Sequence, residues 1–371
     1  MSLTVTHLNG DSTFLLTFRP AAQPNTAFPP SPGYSPVAFS ILFDPWLAGD
    51  STIFSRRFST ARRTVPACIS SLRDLPSPPD LVIVSQDKPD HCSPETLRQL
   101  DPRGERGEDG GGSSKKTTLI LADPNAAKRI RSWKHFSPGL VQAMERWEPD
   151  GKKENNIRRF SIPASSPLGQ PGEVSIAFIL NKRDLTGIHN AIGITYRPPS
   201  TRYPLGDPPI TPPASPLLSP SARSPASFQP VTSYTASQDR TISVIYSPHG
   251  VSYPILQPYA SHHLVKEAAL PLTLLLHSFD RVSGPWWLGG NVTAGLPGGV
   301  DIARNLQTKC WISAHDEVKD LAGVVVPYMK METFTKEEVE ALVGTGAEKG
   351  RGRGTEVVTL DAGQSWNYRS D

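Results

Sequence analysis

The chain has 371 residues, 37% of them hydrophobic, and its 38 basic and 35 acidic residues leave a formal net charge of +3. This near-balance, without a basic stripe interleaved with aromatic residues, argues against a nucleic-acid partner. The longest apolar stretch, residues 268–277, is shorter than a membrane-spanning helix needs, so no membrane partner is expected either.

The N-terminus lacks the basic region and apolar core of a secretory signal peptide. The three cysteines, Cys68, Cys92 and Cys310, cannot form a disulfide framework, and their spacing contains no Cys-x-x-Cys metal pair. We therefore expect a cytoplasmic protein in a reducing compartment. The sequence predicts no particular protein partner.

Eleven short runs of β-branched or apolar residues, bounded by Gly, Pro, Asp or Asn, predict β-strands. In chain order they cover residues 3–8, 14–18, 40–43, 81–85, 117–122, 174–180, 192–196, 241–246, 272–276, 310–314 and 356–360. Helix-start signals lie between some of them: Ser93 and Asp123 each precede a proline, and Thr335 begins a capping box. Many strands with interspersed helices favour a layered α/β (α+β) architecture.

Three segments predict disordered inserts within a single domain that spans residues 1–371. They cover residues 20–36, 101–116 and 198–230. Each is rich in Pro, Gly, Ser or charged residues, and such a composition cannot bury an apolar face.

The strongest chemical signal follows the strand predicted at residues 81–85. The polar segment Ser85-Gln-Asp-Lys-Pro-Asp-His91 leads directly into the helix that begins after Ser93. Ligands commonly bind beyond the carboxyl ends of strands in α/β proteins, because side chains and helix amides converge there. The adjacent Asp90 and His91 can supply an oxygen and an imidazole nitrogen to one divalent metal.

This segment resembles the Ser/Thr-His-x-His-x-Asp-His motif of the metallo-β-lactamase superfamily, and three further segments resemble its lactonase-like branch in the same chain order. They are the first hairpin at residues 6–16, the strand ending in Asp44-Pro-Trp-Leu47, and the late strand that leads to His315. The resemblance implies a four-layer αββα sandwich with a metal site at the edges of its sheets. It also implies hydrolysis of a small molecule.

The motif departs from the family pattern at its first metal position. Gln86 and Lys88 stand where the family has histidines, and a charged ammonium group cannot bind a metal. His249 stands where the family has a bridging Asp, and no histidine directly matches the remaining family ligand, with His189 several residues further on. We expect one divalent metal, zinc or iron with zinc favoured, bound by Asp90, His91, His249 and His315.

The resemblance leads to a prediction for each remaining residue near this motif. Asp90 and Lys88 are the predicted catalytic residues, with Lys88 neutralising charge on a substrate anion. His189, Gln86 and Asp316 are predicted to contribute further to the pocket. The predicted activity is metal-dependent hydrolysis of an ester, lactone or phosphoester.

Two alternatives remain open at the level of sequence. In the first, the protein is a non-catalytic binding or regulatory protein that retains the pocket, and Asp90 and His91 only stabilise the start of the helix. In the second, it is a scaffold that acts through the insert at residues 198–230.

Overall fold

In the computed structural model, the described residues are 1–20, 37–104, 117–149, 156–166, 169–182, 184, 186–200, 241–286, 290–344 and 354–370. Most of each predicted insert, namely residues 21–36, 105–116 and 201–230, lies outside the described residues. The predicted disorder of these segments therefore stays a prediction.

The first large sheet has seven strands, and strands are numbered in chain order throughout. Its spatial order is β20 (Ser365–Arg369), β1 (Ser2–His7), β2 (Phe14–Arg19), β3 (Phe39–Phe43), β6 (Leu81–Val84), β7 (Leu119–Ala122) and β8 (Val141–Ala143). Strands β3, β6, β7 and β8 are parallel, and the others pair antiparallel.

The second large sheet also has seven strands. Its order is β19 (Glu356–Val358), β16 (Cys310–Ser313), β13 (Leu274–His277), β12 (Ile242–Ser247), β11 (Asn190–Arg197), β10 (Gly172–Leu180) and β9 (Ile157–Ile162). Strands β12, β13, β16 and β19 are parallel. Each of the eleven strands predicted from the sequence occurs in one of the two sheets, with boundaries within two residues.

Across the described residues, five α-helices flank the sheets. They are α1 (Pro94–Leu97), α2 (Pro124–Ser132), α3 (Tyr253–Tyr259), α4 (Gly295–Asn305) and α5 (Lys336–Val343). The three predicted helix starts are confirmed: the side chains of Ser93, Asp123 and Thr335 each accept a hydrogen bond from the first turn of their helix. Within the described residues, no helix is both long and apolar enough to cross a bilayer.

The buried hydrophobic side chains form three clusters. These clusters separate four layers of secondary structure, namely helices, a sheet, a second sheet and helices. Side chains such as Phe14, Ile83 and Tyr246 pack between the two sheets. On the outer face of the first sheet, residues such as Val82 pack against α1 and α2, and the outer face of the second sheet packs against α3, α4 and α5. The predicted four-layer αββα sandwich is confirmed.

Alternation along the strands explains why this architecture follows from the sequence. In β6, Leu81 and Ile83 face the other sheet, whereas Val82 and Val84 face the helices. A strand covered on both faces has no polar side, so it appears as a continuous apolar run. This run therefore predicts a central strand.

Two small sheets were not predicted. One consists of β15 (Asn291–Thr293), β14 (Arg281–Ser283) and β18 (Lys330–Glu332), and the other of β17 (Lys319–Ala322), β5 (Ser59–Arg63) and β4 (Ser51–Ile53). Most of their strands have only three or four residues, which is too short for a two-residue periodicity to be recognised. The second of these small sheets lies beside the candidate site described below.

A glycine on α4 permits close packing of this helix on the second sheet. A Cβ atom at Gly299 would lie 2.1 Å from the Trp311 ring, whereas one at the neighbouring Gly298 would meet no atom closer than 3.4 Å. Trp311 is fully buried in β16 and its indole N–H donates to the His277 carbonyl, so the ring cannot move away at low cost.

We expect Gly299→Ala to lower the free energy of unfolding by about 1–3 kcal/mol through overpacking. Gly298→Ala is the matched control, and it should be neutral or slightly stabilising because alanine favours the helix. Chemical denaturation of both variants measures the difference. Equal stability of the two variants would contradict the close contact between Gly299 and Trp311.

Candidate metal centre

Three histidines from different parts of the chain meet at one edge of the sandwich. His91 follows β6, His249 follows β12 and His315 follows β16. The carboxyl ends of β6, in the first sheet, and of β12 and β16, in the second, therefore supply all three side chains. Each residue offers one ring nitrogen, and these nitrogens all lie within 4.8 Å of one another.

The other ring nitrogen of each histidine is held by an oxygen. Nδ1 of His91 lies 2.7 Å from Asp44 Oδ2, and Nδ1 of His249 lies 3.0 Å from the Val292 carbonyl. Nδ1 of His315 lies 3.0 Å from the Asp11 carboxylate. With each Nδ1 held by an oxygen, the Nε2 atoms face the centre of the cluster, and Nε2 of a ring that is protonated only on Nδ1 carries a lone pair that can bind a metal. Metal-binding histidines are usually oriented by such outer partners.

Asp44 is the most heavily used of these outer partners. Its carboxylate accepts hydrogen bonds from the Ser85 amide at 2.7 Å, the Ser85 hydroxyl at 2.6 Å, the Tyr246 hydroxyl at 2.6 Å and the His91 ring. Asp44 is fully buried and has a φ of 40°, a left-handed conformation that non-glycine residues rarely adopt. The strained backbone turns the carboxylate from the end of β3 toward the motif after β6.

A second buried carboxylate, Asp11, holds His315. The Asp11 carboxylate also lies 2.7 Å from Lys319 Nζ, and the Asp11 carbonyl accepts the His315 amide at 2.8 Å. His315 has a φ of 71°, so it too is held in a left-handed conformation. Backbone strain of this kind persists only where surrounding contacts determine it, and it is concentrated at functional sites.

Asp90 lies beside the three histidines. Its Oδ2 atom is 3.7 Å from Nε2 of His91 and 3.9 Å from Nε2 of His315. Its Oδ1 atom is buried and has no hydrogen-bond partner among the described residues. A buried carboxylate oxygen without a hydrogen-bond partner lowers the stability of the fold, so a ligand bound to this atom would stabilise the site.

The histidines of the cluster differ in pKa because their charged neighbours differ. Burial and the neighbouring His315 and His91 hold the pKa of His249 well below its usual value, so His249 is neutral. Burial opposes charge on His91, but the Asp90 and Asp44 carboxylates outweigh it and raise the pKa of His91. Burial likewise opposes charge on Asp90, yet His91 and His315 outweigh it and lower the pKa of Asp90.

This donor set fits a divalent metal. Nε2 of His91 and Nε2 of His249 are 3.2 Å apart, and two lone pairs at that distance repel unless a proton or a cation lies between them. Three imidazole nitrogens and a carboxylate oxygen are ligands that zinc and iron accept. Because Asp90 Oδ1 also lacks a partner, the residues present suit one metal ion.

Gln86 and Lys88, which stand where the resembled motif has histidines, differ in their surroundings. Gln86 is buried, and neither its amide oxygen nor its amide nitrogen has a hydrogen-bond partner among the described residues. Lys88 is about one-third exposed and its Nζ atom pairs with Asp87 at 3.1 Å. The His91 amide donates to the Lys88 carbonyl at 3.0 Å, but the Lys88 side chain makes no contact with the three histidines within the described part of the chain, so its catalytic role stays a prediction.

His189 and Asp316, also predicted as pocket residues, are engaged elsewhere. The two ring nitrogens of His189 lie 3.1 Å from the Gly250 carbonyl and 2.9 Å from the Asn291 carbonyl, so His189 supports the loop that carries His249. The Asp316 carboxylate accepts from the backbone amides of Phe279 and Asp280. Asp316 therefore fastens the loop after β13 and is turned away from His315.

Sequence reasoning assigned no role to Asp11, Asp44, Tyr246 or Lys319. A signal was available for Asp44, which follows a predicted apolar strand immediately, as the Ser85 motif does. Asp11 and Lys319 are 308 positions apart in the sequence, so their contact depends on the assembled fold.

Comparisons with known proteins place the geometry in context. No family model and no curated protein matches this chain. Among solved structures, it is similar to a metallo hydrolase from Ignicoccus hospitalis KIN4/I, with 10% identity, a TM-score of 0.46 and 100% coverage of both chains. It is also similar to isothiocyanate hydrolase from Delia radicum gut bacteria, with 13% identity, a TM-score of 0.48 and coverage of 99% of this chain and 98% of that one.

A third similar structure is a metallo-β-lactamase fold protein from Bacillus subtilis, with 10% identity, a TM-score of 0.43 and coverage of 99% of this chain and 100% of that chain. The fold assignment itself rests on the strand order and the four layers described above. The lactonase-like branch of the superfamily stays a prediction.

Asp44 provides a test of the outer partners. In Asp44→Asn, an amide N–H₂ group replaces one carboxylate oxygen opposite several donors, so we expect affinity for zinc to fall by about 10- to 100-fold. Tyr246→Phe is the control, because it removes one donor and leaves the carboxylate on His91; its affinity should change much less. Competition with a chromogenic chelator measures both values. Equal zinc affinity of wild type and Asp44→Asn would contradict this role of Asp44.

Proposed function

We propose that the protein is a divergent metal-dependent hydrolase that acts on a small ester, lactone or phosphoester. The observation that carries this proposal is the convergence of three imidazole nitrogens, from His91, His249 and His315, beside the partly unpartnered Asp90 carboxylate. Three histidines with an open coordination position are typical of catalytic zinc sites. We propose zinc as the metal, which these histidines and Asp90 Oδ2 would hold, with a fifth position left open for water or substrate.

The metal supplies Lewis-acid polarisation of the substrate and makes water a stronger nucleophile at neutral pH. The protein supplies the base. Asp90 Oδ1 has no partner among the described residues, and His91 and His315 keep its carboxylate ionised. In this proposal Asp90 accepts the proton of the attacking water as the new C–O or P–O bond forms. It then returns the proton to the alkoxide oxygen as the C–O or P–O bond between that oxygen and the substrate's carbonyl carbon or phosphorus breaks.

Lys88 is proposed to bind the negative charge of the substrate. Its ion pair with Asp87 is partly exposed, and pairs of this kind contribute only about 0–1 kcal/mol. The Lys88 side chain can therefore exchange Asp87 for a substrate anion at little cost. Gln86, buried with its whole amide unpartnered, is proposed to donate to a substrate oxygen from the neighbouring position.

A non-catalytic binding protein is the second candidate, and a specific observation favours it. Lys88 pairs with Asp87 and not with Asp90, which is the arrangement expected if the loop is closed over an inactive pocket. In that case the site binds a metal or a small anion without turnover.

A hydrolysis assay distinguishes the two candidates. The purified protein, loaded with zinc, is incubated with a nitrophenyl ester, a chromogenic lactone and a nitrophenyl phosphodiester. We expect turnover of at least one of these substrates, abolished by a chelator, restored by zinc and absent in His315→Ala. Zinc-loaded protein that hydrolyses none of the three classes contradicts the hydrolase and supports the binding protein.

Lys88 itself is tested by Lys88→Ala, with Lys128→Ala as the control because Lys128 is an exposed lysine on α2. We expect kcat/KM to fall about tenfold in Lys88→Ala, which corresponds to about 1.4 kcal/mol of transition-state stabilisation. Lys128→Ala should keep the wild-type value. Unchanged kcat/KM in Lys88→Ala would remove Lys88 from the mechanism.

A further inference from the structure

The turn between β4 and β5 projects an aromatic side chain into solvent. Phe54 is 91% exposed and has a φ of 57°, so its backbone adopts a conformation that is unfavourable for a bulky residue. Its ring packs edge-to-face on Phe58 at a centroid distance of 5.1 Å. The fold thus accepts backbone strain while leaving a large apolar side chain in water.

The same turn is basic. Arg56 and Arg57 lie between the two aromatic residues and are exposed, and no salt bridge is recorded for either within the described residues. Arg62, at the other end of β5, is neutralised by Asp50 at 3.0 Å. The tip therefore carries two free positive charges beside its apolar side chains.

The neighbouring strand β17 extends the apolar surface. Val324 is 65% exposed, and its amide donates to the Arg57 carbonyl at 3.0 Å, which fixes it beside the tip. Gly323 approaches so closely that a Cβ atom there would lie 2.3 Å from the Phe58 carbonyl oxygen. The tip is thus held rigidly against β17. We call Phe54, Arg56, Arg57, Phe58 and Val324 the hairpin patch.

The hairpin patch is connected to the candidate metal centre through its own sheet. Arg63 on β5 and Lys319 on β17 are paired positions, and Lys319 contacts the Asp11 carboxylate that holds His315. β17 begins only four residues after His315. A partner surface bound to the hairpin patch would therefore lie next to the small sheet of β4, β5 and β17, which borders the candidate metal centre.

We propose that the hairpin patch docks the protein on an anionic lipid surface. The tip is a protrusion and not a groove, which suits insertion of Phe54 between lipid headgroups more than capture of a protein side chain. Aromatic and apolar groups bury at the acyl boundary while flanking arginines pair with anionic headgroups. The sequence predicts no membrane partner because no segment is long enough to span a bilayer, but a peripheral contact needs no such segment.

The proposal does not depend on metal binding or hydrolysis, and it is tested by co-sedimentation of the full chain with vesicles. Vesicles of phosphatidylcholine alone are compared with vesicles that also contain phosphatidylserine. We expect binding to the phosphatidylserine vesicles, weakened by high salt. Phe54→Ser and the double variant Arg56→Glu/Arg57→Glu should each bind at least about tenfold more weakly.

Two variants on other surfaces are the matched controls. Val265→Ser removes an apolar side chain that is 60% exposed on the opposite sheet's helical layer, and Arg73→Glu reverses an exposed charge outside the hairpin patch. Both should bind as the wild type does. Absence of wild-type binding to phosphatidylserine vesicles overturns the proposal, as does equal binding by all variants. A purified protein that binds the patch, without any vesicle binding, would assign it to a protein partner and also overturn the lipid proposal.

Discussion

Three imidazole lone pairs directed at one point are the constraint on which the site depends. Each histidine has its outer nitrogen fixed by an acceptor, Asp44 for His91, the Val292 carbonyl for His249 and Asp11 for His315. The inner Nε2 atoms are therefore the nitrogens that face the centre of the cluster and can bind a metal there. Convergence of this kind is electrostatically unfavourable without a positive charge at its centre, and the two aspartates supply the compensating negative charge around it.

The two large sheets are what allow the three histidines to meet. Parallel strands β6, β12 and β16 end at the same edge of the sandwich, and each is covered on both faces by apolar side chains. The rigid core fixes the strand ends, and the polar loops beyond them carry the chemistry. Gln86 and Lys88 lie in such a loop and do not belong to the hydrophobic core, so the fold does not depend on which residues occupy these positions.

Much of this architecture could be predicted from the sequence, because buried strands are continuous apolar runs and helix starts carry capping residues. The grouping of His91, His249 and His315 could also be predicted, since each histidine follows a strand of the expected order. The contacts of Asp11 with His315 and Lys319, and of Tyr246 with Asp44, could not, because they join residues 202 or more positions apart and depend on the final register. The ion-pair partner of Lys88 could not be predicted from the sequence either, because local geometry alone decides whether this flexible side chain pairs with Asp87 or with Asp90.

The central claim is that this cluster holds one metal ion through three histidines. The most direct test is zinc-edge X-ray absorption of the zinc-loaded protein, with the zinc-to-protein ratio measured on the same sample. The account predicts one zinc per chain, with three nitrogen ligands at about 2.0–2.1 Å and one or more oxygen ligands at a similar distance. It also predicts loss of this signal in His249→Ala. A protein that retains no zinc after dialysis, or an absorption spectrum unchanged by His249→Ala, would contradict the account.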